Sequence, residues 1–292
     1  MLKTMSRNLF KYFILFILVS VLSCNSKSNN MNKSSSDSVT DLGEIDSTLI
    51  KKGVQEKLDY AILNLRNSDE FIQVLSKQAN LYNDVILNSV KKANEYESSK
   101  AKAMNIGVFG ADLNYIIHFN QIPVSFKYLL CAKQLSDQIG VSMAFDKNAI
   151  DKFNGNVDQK DTLINIVSSA YDVIKKYLRN GDQYKIATLV MSGSWIENMH
   201  LTLSVIDQCK NDQDKTQILK GIVSQKEYVQ NIVSLLVLVN GDKDATVLEL
   251  INSLNDINSV FDKYKIESAN TSELVELKSK IEKLRLLIVE AK

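Results

Sequence analysis

The chain has 292 residues, 45% of them hydrophobic and 24% charged, with 10 Gly, one Pro, three Cys and a formal net charge of +1. That length carries a sizeable core, and a near-neutral balance excludes a nucleic-acid binder, which needs clustered Lys and Arg to neutralise phosphates. A single Pro against an average near ~5%, with Gly at about half its usual frequency, leaves little of the turn chemistry that a β-sandwich or barrel requires.

Lys3, Arg7 and Lys11 precede an apolar run from Phe13 to Leu22. At about 1.5 Å per residue the run is too short to cross a ~30 Å hydrocarbon core, and it has the length of a signal-peptide core. It ends in Val21-Leu22-Ser23-Cys24. This tetrad resembles a bacterial lipobox, in which a small residue precedes a cysteine that receives a diacylglycerol, becomes the new N-terminus and is acylated. The resemblance implies a signal peptide over residues 1–23 and a lipid anchor at Cys24, its two or three acyl chains holding the membrane where one chain would not. Removal of residues 1–23 takes away three positive residues and no acid, so the +1 of the whole chain becomes −2. No polybasic segment stands beside Cys24, so the lipid alone must hold the protein to a membrane. Residues 24–45 are rich in Ser and Asn and read as a flexible tether with a reach of about 25 Å. No acidic run of the kind that resembles a surface-export signal follows Cys24, which favours a periplasm-facing position on the inner or outer membrane.

Residues 46–292 read as one all-α domain dominated by the 3.6-residue period. Leu49, Val54, Leu58, Ile62 and Leu65 form a first apolar stripe. Asn67 and Glu70 have the spacing of an N-cap and its reciprocal acid, and Leu81, Val85, Ile86 and Val90 continue the helical pattern. A helix is predicted from Lys100 to Phe119. The next starts at Pro123, where the missing N–H costs nothing, and ends at Gly140. Residues 141–157 look irregular. Helices follow over residues 161–180, 182–208, 216–239, 246–261 and 274–290, and the apolar run within residues 228–239 marks that helix as central. About nine helices with short connections give an antiparallel multi-helix bundle, with a degenerate helical-hairpin superhelix as the alternative form.

Two segments break local rules. Gly107 and Gly110 interrupt a predicted helix at a cost of about 1 kcal/mol each relative to Ala, and Asp112, Tyr115 and His118 follow within the same helix. Gly193, Glu197, His200 and Ser204 share one helical stripe, beside the chain's only tryptophan, Trp195. Small residues let helix backbones approach closely, and a polar side chain buried there needs a partner. The helix over residues 103–119 is therefore predicted to pack directly on that over residues 183–208, with Glu197 buried and bonded to Tyr115, His118 or a backbone amide.

Gly107-Val-Phe-Gly-Ala-Asp-Leu-Asn-Tyr115 and Ser192-Gly-Ser-Trp-Ile-Glu197 are similar to the G-V-Y-G-A-D-L-x-Y and G-G-W-I-E patterns of an uncharacterised family of α-helical bacterial lipoproteins. Phe109 stands where that family has Tyr, and Ser194 separates the Gly from the Trp. The likeness extends loosely over residues 46–210; it implies a helical fold and supplies no reaction.

The candidate cluster is thus Asp112, Tyr115, His118, Trp195, Glu197 and His200. Glu197-x-x-His200 has the spacing of helix-borne dimetal sites, but two histidines in the whole chain are too few for the second such pair. A single metal on His118, His200 and Glu197 would require the two stripes to face each other. No phosphate-cradling glycine loop and no nucleophile elbow is present, and the residues call for no cofactor. After lipidation of Cys24, Cys131 and Cys209 are left as a pair that either bridges or stays as two buried thiols. The reading favoured by these residues is a lipid-anchored binding or interaction module for an unidentified protein or small molecule. The alternative is a carboxylate-dependent enzyme centred on Asp112 and Glu197. An enzyme would place a perturbed carboxylate in an open cleft; a scaffold would bury it fully paired.

Overall fold

Regular 3.6-residue patterning produces long helices over most of the described residues. A computed structural model describes residues 52–53, 56, 60, 70–141, 150–151, 160–179, 183–240, 244–263 and 271–292. The predicted signal peptide and Cys24, the tether, most of the stripe from Leu49 to Leu65, Asn67 and most of residues 141–157 lie outside them. The described part is an all-α helical bundle without strands.

Residues 70–75 are helical. Where the periodicity suggested a further helix, the chain instead makes three short 3-10 turns, Ala79–Leu81, Asp84–Ile86 and Val90–Asn94. The Asn83 and Ser89 side chains accept the N–H groups of Val85 and Lys91. Such local bonds offer the backbone a substitute for the α-helical ladder and stop it propagating.

Helix α1 (Ser99–His118) begins at Ser98, whose hydroxyl accepts Ala101 N–H. It closes on Asn120 at φ 59°, with Gln121 N–H bonded to Ile116 O and Asn120 N–H to Ile117 O. Helix α2 (Ile122–Gln138) carries its proline in the first turn and closes on Gly140 at φ 77°, with Val141 N–H on Ser136 O. Both ends are Schellman caps, which need a left-handed residue just past the helix; Gly supplies it without strain and Asn at little cost. Helix α3 spans Lys160–Arg179, and α4 spans Tyr184–Val205 with a 3-10 extension, Ile206–Gln208. Asn211 caps α5 (Asp212–Val239), and α6 (Ala245–Lys263) and α7 (Thr271–Val289) complete the set.

The middle of the bundle is α4, in which every residue from Ala187 to Leu203 is buried. It packs on α1, α3, α5 and α7, and α1 packs in turn on α2, α3 and α7. Helices far apart in sequence are in contact, so the architecture is a bundle around a buried pair rather than a superhelix of consecutive hairpins. The expectation that residues 228–239 are central is corrected: α5 buries one face, while Val237 is 58% exposed. Among the described residues no helix is long and apolar enough to cross a membrane. Cys131 and Cys209 are buried free thiols, and burial pushes the Cys131 thiol up to about 11.

The α1–α4 crossing is made by two glycines. A Cβ on Gly107 would lie 2.0 Å from Val190 O and 2.6 Å from Ser194 N; a Cβ on Gly193 would lie 2.0 Å from Met104 O. Each helix backbone thus sits in the notch of the other, and backbone atoms cannot rotate away as a side chain can. Gly110 meets nothing within 4 Å and takes no part. Gly107→Ala and Gly193→Ala should each destabilise the protein by about 2 kcal/mol or more, because the helices must separate. Gly110→Ala should stabilise it by about 0.5–1 kcal/mol through helix propensity. Denaturant unfolding of the three variants checks both signs.

Candidate functional site

One turn along from the glycine crossing, the two motif segments meet. Glu197, without exposed surface, is held by Arg285 of α7: Arg285 Nε–H donates to Oε2 at 2.7 Å and Nη2–H to Oε1 at 2.8 Å. This is the parallel two-bond geometry that makes a guanidinium the strongest partner for a carboxylate. The expectation that Glu197 is buried is met, but its partner is neither Tyr115 nor His118.

Asp112 of α1 is equally buried. Its Oδ2 accepts Asn88 N–H at 3.1 Å, while no donor reaches Oδ1. The carboxyl group also hydrogen-bonds that of Glu197. Two carboxyl groups can share a hydrogen bond only if one carries a proton. Burial, the charge of Glu197 and that hydrogen bond push the Asp112 pKa well above the ordinary carboxylate range, against the opposing pull of Arg285 and Asn88 N–H. Glu197, held by the guanidinium, is the better seat for the negative charge, and Asp112 the better seat for a proton.

His200, one turn beyond Glu197, is also buried. Its Nε2 lies 3.1 Å from Ile86 O and its Nδ1 3.1 Å from Glu282 Oε2. Burial pushes its pKa below the usual imidazole range, with Arg285 adding to the shift and Glu197 and Glu282 opposing it. The pairs Glu197–Arg285 and His200–Glu282 run in opposite order along α4 and α7, as antiparallel helices require.

Four of these side chains converge on one stretch of main chain, residues 81–88, a strap laid over the junction of α1, α4 and α7. Tyr115 O–H donates to Leu81 O at 3.2 Å and accepts Asn83 N–H at 2.9 Å. Arg285 Nη2–H donates to Ile86 O at 3.1 Å, the carbonyl that His200 also faces. Asp112 takes Asn88 N–H. The Asn88 side chain donates to Tyr96 O–H at 3.0 Å, and Asn105 Nδ2 donates to Ile288 O near the end of α7 at 2.9 Å. The strap's own side chains turn outward at the tip, where Val85 is 86% exposed.

Asp112, Tyr115, Glu197 and His200 therefore belong to one cluster. Trp195 does not: its Nε1–H donates to Gln225 of α5 at 3.1 Å and its ring stacks on Tyr228. His118 is half-buried at the far end of α1, where burial and then Lys160 lower its pKa. The single-metal arrangement is not assembled. Both Glu197 oxygens are held by Arg285, and among the described residues no group of three or more His, Cys, Asp or Glu could hold a metal ion. The sequence reading missed Arg285, Asn88 and Ile86. Arg285 did carry a signal, since it stands four residues after Ile281 and three before Ile288 on the apolar stripe of α7, where a cation needs a buried acid.

No family model, curated protein or solved structure matches this chain.

Glu197→Ala should destabilise the fold by about 3–5 kcal/mol, because Arg285 is left as an uncompensated buried charge. Replacing both partners with apolar residues of similar volume, Glu197→Leu with Arg285→Met, should cost less than the sum of the two single changes. A double-mutant cycle by denaturant unfolding measures the difference.

Proposed function

We propose that the protein is a lipid-anchored, periplasm-facing interaction module whose two sequence motifs build its core and carry no reaction. The observation that supports the non-catalytic reading is the complete burial of Asp112 and Glu197 under the strap, one carboxyl group bonded to the other and the second locked by Arg285. A catalytic acid or nucleophile has to reach a substrate, and a perturbed carboxylate marks an active site when it lies in a cleft. Here the same perturbation arises inside a packed junction. The motif pair, in its likeness to a family of helical bacterial lipoproteins, fits the same assignment.

The anchor rests on Val21-Leu22-Ser23-Cys24 after a short apolar core. With no polybasic segment beside Cys24, the acyl chains would be the stable membrane contact. The tether over residues 24–45 would let the helical domain reach a protein or small-molecule partner near the bilayer. Cys24→Ser should leave the chain uncleaved or in the soluble fraction and should abolish fatty-acid labelling. Mature-length Cys24→Ser protein that still partitions fully with membranes would contradict the anchor.

A further inference from the structure

The charge count inside the α1–α4–α7 junction is uneven. Asp112 and Glu197 are both fully buried, but the Arg285 guanidinium is bonded to Glu197 alone, and Asp112 Oδ1 has no donor. The strap runs into both halves of this group. Arg285 Nη2 serves Glu197 Oε1 and Ile86 O together, and the Asp112 carboxyl group that faces Glu197 also takes Asn88 N–H.

We propose that the Asp112–Glu197–Arg285 cluster is a proton-operated latch on the strap: with one proton held between the two carboxyl groups the strap is closed, and loss of that proton lifts it. Without the proton, two buried carboxylates face one cation, and the second must find water or take a donor from elsewhere. The donor already on Asp112 is Asn88 N–H, at Oδ2, and Arg285 Nε–H and Nη2–H are committed to Glu197 and Ile86 O, so an ionised Oδ1 has to draw in water. Water enters most easily where the backbone is least bonded to itself. Helices α1, α4 and α7 satisfy their own backbones, whereas the strap consists of short 3-10 turns held down by side chains of those helices.

The groups facing Asp112 from each neighbouring element fit this assignment. Glu197 faces it from α4 and Arg285 from α7. Tyr128 and Cys131 of α2, Tyr82 of the strap, Tyr96 beyond it and Tyr115 of α1 all feel its charge. Burial raises each of these phenols and the thiol, so they stay neutral while Asp112 titrates. A group whose pKa is raised in the closed form stabilises that form at low pH, and the stabilisation fades as pH rises through the closed-form value. His200, with Glu282 and Arg285 beside it, has the opposite sign. Its pKa is lowered, so its contribution is complete above about pH 6.5 and cannot produce a loss on the alkaline side.

The test is amide hydrogen exchange of the intact chain across pH, corrected for intrinsic exchange, in the native protein, Asp112→Asn and Glu197→Gln. Asn is close to a protonated Asp in shape and cannot ionise. Protection of the Val85, Leu87 and Asn88 amides should fall by about tenfold per pH unit between the open-form and the raised closed-form pKa of the latch, as one-proton linkage requires, and level off above it, while α1 amides keep theirs. In Asp112→Asn the strap should stay protected throughout. In Glu197→Gln the second carboxylate is gone, and the loss on raising the pH should disappear as well. The latch is overturned if native protein and Asp112→Asn show the same profile, if native strap protection does not change with pH, or if strap and α1 amides lose protection together.

Discussion

The contact between α1 and α4 at Gly107 and Gly193 is the constraint on which the rest of the structure depends. Each glycine leaves room for a backbone atom of the other helix and for nothing else. Close approach puts Asp112 and Glu197, one turn further along, within hydrogen-bonding reach of each other in a place without water. Two acids in such a place demand a cation and a proton. Arg285 supplies the first, which fixes α7 against the pair, and the raised Asp112 pKa retains the second. The spacing of both motifs follows from this geometry: a glycine for the crossing, an acid one turn on, then Tyr115 or His200 a further turn on to hold the strap.

The arrangement is a device for orienting main chain. Tyr115, Asp112, His200 and Arg285 address backbone groups at residues 81, 83, 86 and 88, while the strap's Val85 is left outside. A segment with little helical hydrogen bonding of its own is thereby held in one conformation by buried groups, each of which would be costly to leave unpaired. The polar residues are consumed by this role.

The helical class and most helix boundaries were legible in the sequence, because apolar residues at 3.6 spacing and capping residues such as Gly140 act locally. The close crossing was legible too, since a glycine inside an apolar helix needs a compensating contact. Gly110 shows the limit of that rule: it carries the same local cost, yet open space stands where its Cβ would be. The identity of the central helix was hidden. Residues 228–239 look more apolar than α4, but α4 disguises its burial with Thr188, Ser192 and Thr202, each of which bonds the carbonyl four residues before it and needs no water. The strap was hidden because Leu81, Val85, Ile86 and Val90 keep helical spacing while Asn83 and Ser89 break the ladder. The burial of Arg285 could be read from the stripe of α7, but its partner was hidden, because nothing local to α7 reveals an acid 88 residues earlier in the chain.

The proton between Asp112 and Glu197 is the point at which this account is most exposed. Isotope-edited infrared spectroscopy, with the aspartate carboxyl carbons labelled, observes it directly just above the pH at which ordinary carboxyl groups ionise. The account predicts a protonated carboxyl C=O band in the native protein that disappears in Asp112→Asn. A native spectrum showing ionised aspartate carboxylates only would contradict it.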